Sequence, residues 1–142
     1  MSTIVRFKKL HPDAIEPSFG HPGDAGADLY AIAEYILKPS TYTQVKTGIA
    51  LEFPAGYVAL IWDKTSSPVR GWHTMGGVFD SGYRGEYILF LYNITGKFVK
   101  IKKGDKIAQV LIQPIVHPTY NETHTMTETS RGTGRVGSTG MR

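Results

Sequence analysis

Val45-Lys46-Thr47-Gly48-Ile49-Ala50-Leu51-Glu52-Phe53 sets Val45, Thr47, Ile49, Leu51 and Phe53 against Lys46, Gly48, Ala50 and Glu52 in strict alternation. A period of two puts the first set on one face of an extended chain and the second on the other. This stretch therefore predicts a strand, and Pro54-Ala55-Gly56 after it predicts a turn. Tyr57 to Trp62 and Tyr87 to Tyr92 are short, unbroken apolar runs rich in β-branched and aromatic residues. Runs of that kind predict strands buried on both faces. Lys103-Gly104-Asp105 predicts a further turn, leading into a strand from Ile107 to Ile112. No window carries a helical stripe of more than one or two turns. Short strands separated by glycine and proline turns predict an all-β domain, a sandwich or barrel.

The 142 residues suffice for one domain with a real core, and 41% hydrophobic with 20% charged residues is ordinary for a globular chain. The absence of cysteine excludes a disulfide scaffold and a thiolate metal site. No apolar run is long enough to span a membrane, and the first residues lack a signal-peptide pattern, so the expected address is cytoplasmic. The formal charge of +4 favours anionic partners. A basic stripe interleaved with aromatics would mark a nucleic-acid groove, and the sequence has none, so no specific nucleic-acid binding is expected.

After Pro118 the composition turns to Thr, Gly, Ser, Glu and Arg, which bury too little apolar surface to fold alone. We divide the chain into a β domain over 1–118 and a C-terminal arm over 119–142. The arm reads either as a frayed tail or, through Arg131 to Gly140, as an anion-binding segment.

Four more segments interrupt strand-like sequence with polar residues and glycine. Asp28, in Ala25 to Tyr30, either satisfies a turn or orders a metal or its bound water. Lys64, Thr65 and Ser66, in Asp63 to Gly71, form either a solvated turn or a phosphate cradle. Asp80, in Gly76 to Glu86, is a carboxylate beside apolar Val78 and Phe79 that could deprotonate a water, with Tyr83 offering a ring to a sugar. The plainer alternative there is a hairpin tipped by Ser81-Gly82. Gln109, in Gly104 to Gln109, needs a hydrogen-bond partner if buried. The five histidines lack ligand-like spacing.

In this order the segments AGADLYA (25–31), KTSSPVRG (64–71), GGVFDSGYRGE (76–86), GDKIAQ (104–109) and RGTGRVGSTG (131–140) resemble the five motifs of the trimeric dUTPases. The resemblance implies a jelly-roll-like β-barrel or sandwich, a homotrimer with shared sites, and a flexible C-terminal arm that closes over the nucleotide. It implies Mg2+-assisted hydrolysis of dUTP to dUMP and pyrophosphate, with Asp80 as general base. Asp28 would hold waters of the Mg2+, and Tyr83 would pack on the deoxyribose. The backbone from His73 through Gly77 to Val78 would bond uracil. Lys64, Thr65, Ser66 and Gln109 would contact the phosphates, on which Arg131, Ser138 and Thr139 would close. The chain departs from the family pattern in three places. Lys64-Thr65-Ser66 replaces Arg-Ser-Gly, Lys106 stands where arginine is common, and Arg135-Val136 replaces Gly-Phe. The same fold also serves dCTP deaminases, but Phe90 occupies the position of their catalytic glutamate. A nucleotide-binding or signalling module on this fold is the third reading.

Overall fold

The computed structural model describes residues 3–135, and their regular structure is almost all strand. The strands are β1 (Arg6–Lys9), β2 (Ala27–Tyr30), β3 (Tyr35–Leu37), β4 (Tyr42–Lys46), β5 (Ile49–Glu52), β6 (Tyr57–Trp62), β7 (Trp72–Thr74), β8 (Val78–Asp80), β9 (Ile88–Asn93), β10 (Val99–Ile101) and β11 (Lys106–Pro114). One short helix, α1 (Ser66–Arg70), separates β6 from β7. The strands pair antiparallel into four sheets ordered β2-β11-β6-β8, β4-β9-β7, β1-β5 and β10-β3. The sheets do not close on one another, so the molecule is a sandwich and not a barrel. Among the described residues no helix is long and apolar enough to cross a membrane.

The deciding stretch departs from its simplest reading. Val45, Thr47, Ile49, Leu51 and Phe53 are all buried, as the alternation requires. However, the run forms two strands in two sheets: β4 pairs with β9, and β5 pairs with β1. The break is at Gly48, whose φ of 67° is a conformation that side chains rarely adopt. A Cβ there would also crowd Ala14 Cβ at 2.9 Å. The Thr47 hydroxyl donates to the Tyr87 carbonyl at 2.7 Å, and Glu86 Oε1 accepts from Gly48 N at 2.8 Å. The chain thus turns a corner without changing which side chains point inward.

The two apolar runs also differ from expectation, because neither is buried on both faces along its whole length. Leu89 and Leu91 lie in the core, while Phe90 between them is 41% exposed; at the end of β6, Trp62 is 57% exposed. All four sheets send residues into one core, among them Leu29, Leu37, Leu51, Ile61, Leu91 and Ile101. Ser81-Gly82 is not a hairpin tip. β8 pairs with β6 whereas β9 pairs with β4 and β7, so the segment between them crosses from one sheet to another.

Asn93 fastens the sheets together. Fully buried, it donates to the carbonyls of Leu37 (2.9 Å) and Lys97 (2.7 Å) and accepts from Thr95 N and Oγ1 at 2.8 Å each. Removing the amide strands buried polar groups on two segments. Asn93→Ala is expected to lose about 2–4 kcal/mol of stability. Urea unfolding should show this as a lower midpoint at an unchanged slope; an unmoved midpoint would refute the role.

Candidate functional site

Two groups of polar residues stand apart on the β2-β11-β6-β8 sheet. At one end, Asp28 on β2 is paired with Gln109 on β11, which in turn faces Trp62 on β6. At the other end, Asp80 on β8 faces Val58. Val58 and Trp62 are four residues apart along β6, roughly 13 Å at the rise of a strand. Even numbers on β6 share one face, so the two groups lie on the same outer surface of the sheet.

The first group is built around the Asp28 carboxylate, 3% exposed as a residue. Lys64 Nζ binds its Oδ1, and Lys106 Nζ its Oδ2 at 2.7 Å. Burial opposes the charge of Asp28, but the ammonium groups of Lys106 and Lys64 outweigh it and leave the carboxyl below the ordinary aspartate value. The bond to Asp28 in turn raises Lys106.

Lys64 sits in a loop that ties itself down. Ser67, fully buried, accepts from Lys64 N at 3.2 Å, and its own N–H donates to the Lys64 carbonyl at 2.8 Å. Of the three successive hydroxyls, Ser67 is therefore structural, while Thr65 and Ser66 remain exposed at the start of α1. Gln109 Nε2 donates to the Asp63 carbonyl at 2.8 Å. Gly26 makes room for this amide, since a Cβ there would approach Gln109 Cδ to 2.9 Å.

Asp63, which the sequence reading passed over, locks the end of β6 to β7. Its Oδ1 accepts from Thr74 N at 2.7 Å and its Oδ2 meets His73 Nδ1 at 2.6 Å. Burial works against this charge too, yet the bonds from His73 and Thr74 prevail and keep the carboxyl low. Its only signal in the sequence was a carboxylate directly after an apolar strand.

The second group is a cleft of about 560 Å³ lined by Met75 to Asp80, Tyr83, Glu86, Ile88 to Phe90 and Gln44. Gly77 and Val78 belong to it, whereas the His73 side chain does not line it and is engaged with Asp63 instead. Gly77 has φ 135°, and a Cβ there would strike Ile61 Cβ at 2.7 Å, so only glycine lets the loop lie so close to β6.

The aromatic wall is layered. Phe79 stacks on buried Tyr87 at 4.1 Å and 12°, and Tyr83 tilts against Phe79 at 5.6 Å. The Tyr83 hydroxyl donates to the Glu86 carbonyl at 3.0 Å. The ring also leans on Gly85, where a Cβ would meet its Cε2 at 2.9 Å. Burial pushes the Tyr87 phenol well above its ordinary value. Asp80 is exposed at the cleft edge, and its carboxylate makes no hydrogen bond or ion pair among the described residues.

Phe90 lines the same cleft, so no carboxylate stands at the position that deamination would use. Of the arm, Arg131 Nε donates to the Gly134 carbonyl at 3.2 Å in an exposed turn. Val136, Ser138 and Thr139 lie outside the described residues.

This arrangement matches known proteins on every comparison. The dUTPase family model matches residues 13–140. A deoxyuridine 5'-triphosphate nucleotidohydrolase of Clostridioides difficile is 37% identical over 140 residues, covering 96% of this chain and 98% of its own. One from Rhodococcus erythropolis is 36% identical over 140 residues, covering 96% and 85%. Among solved structures, the dUTPase of Staphylococcus bacteriophage 80alpha, a variant bound to dUpNHpp, superposes with a TM-score of 0.89. It is 24% identical and covers 96% of this chain and 98% of its own. A dUTPase variant from phage phi11 of S. aureus, described with a structural Mg(II) ion, gives 0.78 at 23% identity, covering 86% and 97%. The chain belongs to the dUTPase family.

Proposed function

We propose that the protein hydrolyses dUTP to dUMP and pyrophosphate, with Asp80 as general base, in a site completed between copies of the chain. The observation that carries this is the division of the site. The exposed carboxylate and the nucleoside-sized cleft lie at one end of the sheet, and the phosphate-type cations at the other. Neighbouring copies would let the cleft of one chain and the cations of another meet on one nucleotide. A homotrimer with shared sites accounts for the split. Exposed Trp62 and Val78, on the sheet face between the two groups, supply apolar surface for a neighbour to cover.

In the cleft, the backbone from Met75 to Val78 offers a fixed plane of donors and acceptors for a base edge. Tyr83, pinned by Glu86 and Gly85, closes against the sugar and leaves no space for a 2′-hydroxyl. Asp80 orients a water and takes its proton as the oxygen attacks the α-phosphorus; pyrophosphate departs. Lys64, Thr65, Ser66 and Gln109 hold phosphate oxygens. Arg131, with Ser138 and Thr139, closes the arm over them.

A metal must fit around Asp28. No group of three or more His, Asp or Glu side chains converges among the described residues, so these form no all-protein cage. One carboxylate with substrate phosphates and waters is the usual setting for Mg2+, and the residues fit that mode through Asp28. Bound Mg2+ supplies positive charge to the phosphate oxygens as negative charge develops.

Asp80→Asn is expected to fold normally and to release pyrophosphate from dUTP about a thousandfold more slowly. Undiminished turnover would exclude Asp80 as base, and an unmodified protein that binds dUTP without turnover would be a binding module. Gly85→Ala, by evicting the Tyr83 ring, should cut the preference for dUTP over UTP about tenfold. An unchanged ratio of kcat/KM values would mean that Tyr83 is not the sugar filter. Co-refolding Asp80→Asn chains with Lys64→Ala chains should restore activity that neither has alone. Without restoration, the site is not shared.

A further inference from the structure

Lys106 enters the Asp28 cluster through a local irregularity of β11. Gln109 faces Asp28 and Ala108 faces Leu29, so an unbroken register would set Ile107 opposite Tyr30. The pairing shifts instead, and Lys106 itself faces Tyr30. The extra residue reverses the parity of the strand, and Lys106 joins Asp28 and Gln109 on one face. Ile107 and Ala108 are then both buried, with no exposure. In a regular strand Lys106 would project to the opposite face from Gln109, toward the core side. The bulge therefore aims this ammonium at Asp28.

Two cations now share one carboxylate, one on each oxygen, and the cluster carries one net positive charge. Two short N–H···O bonds to one carboxylate keep the ammonium nitrogens on the order of 5–6 Å apart. Lys106 and Lys64 are both partly exposed, so each can reach a ligand lying over the sheet. Asp28 is also the only acid in this cluster that can meet the waters of a cation arriving with the nucleotide. Asp28 is 3% exposed, so with a lysine seated on each oxygen there is little room for those waters to reach it.

We propose that Lys106 is a phosphate-binding residue of the dUTP site, and that it and Lys64 rest on Asp28 until the nucleotide arrives, when the lysines transfer to phosphate oxygens and leave Asp28 to the waters of Mg2+. This inference rests on the dUTPase reading and adds a residue and an exchange to it. Its signature is a competition: the lysines and Mg2+ contend for Asp28, while both favour the triphosphate.

The test is calorimetric titration of the full-length protein with dUpNHpp, first in EDTA and then across a Mg2+ series. Lys106→Met should weaken metal-free binding about tenfold, the share of one charge-assisted contact. It should also lower the Mg2+ concentration that half-restores affinity, because one competitor for Asp28 is gone. Lys106→Arg, which keeps the charge, should recover the metal-free affinity. A merely structural lysine would not move these two readings in opposite directions. If Lys106→Met leaves metal-free affinity unchanged, or raises the Mg2+ requirement, while the unmodified protein hydrolyses dUTP, this inference falls and the dUTPase reading stands. If the unmodified protein neither binds dUpNHpp nor hydrolyses dUTP, both fall.

Discussion

The hydrogen bond from Trp72 Nε1 to the Ile107 carbonyl, 3.0 Å long and wholly buried, is the contact on which the Asp28 cluster depends. Ile107 is the bulge residue of β11, with no strand partner in β2 or β6. An unpaired carbonyl in the core costs about 1–3 kcal/mol. The indole of Trp72 satisfies it from β7, across the core, and so makes the bulge affordable. Three consequences follow in order. The bulge turns Lys106 onto the outer face, Lys106 closes on Asp28, and Asp28 holds Lys64 at the end of β6. Arg70 lies 4.6 Å over the same indole and reaches Asp105 at 2.5 Å, fastening α1 to the turn before β11.

The cleft end rests on a different principle, the removal of Cβ atoms. Gly77 lets its loop lie on Ile61, and Gly85 lets Tyr83 fold down beside Phe79 and Tyr87. The Asp28 end is therefore held by charge and hydrogen bonds, and the cleft end by close packing. Charge can exchange partners without unfolding anything, whereas close packing resists change of shape.

The period-two alternation of Val45 to Phe53 correctly picked out five buried side chains, because burial follows the pleat whatever sheet a strand joins, although Ala50 on the other face is buried as well. The corner at Gly48 escaped it, since alternation persists through a bend that preserves parity. The run from Tyr87 to Tyr92 read as doubly buried, yet Phe90 faces out, because an apolar side chain records that it is covered but not by which molecule. The motif segments singled out Asp28, Lys64, Asp80, Tyr83 and Gln109 as candidates. Their division between two ends was not legible, because it depends on strand pairing between residues dozens of positions apart. Ser67 among three hydroxyls, and Asp63 beside Lys64, were invisible for the same reason: a hydrogen bond across the fold decides which polar residue faces inward.

The two lysine-for-arginine departures are coupled by the geometry of Asp28. A guanidinium binds a carboxylate through a planar fork that engages both oxygens at once. An arginine at position 64 in that posture would engage both oxygens, and Lys106 would have to share one of them. Ammonium groups are compact, and each takes one oxygen, so a single carboxylate can restrain two of them. They also have no fixed plane to realign when they move to phosphate. The pair trades the directional grip of arginine for mobility. In a cluster with one acid and two cations, that mobility is what the proposed exchange onto phosphates and a metal's waters would use.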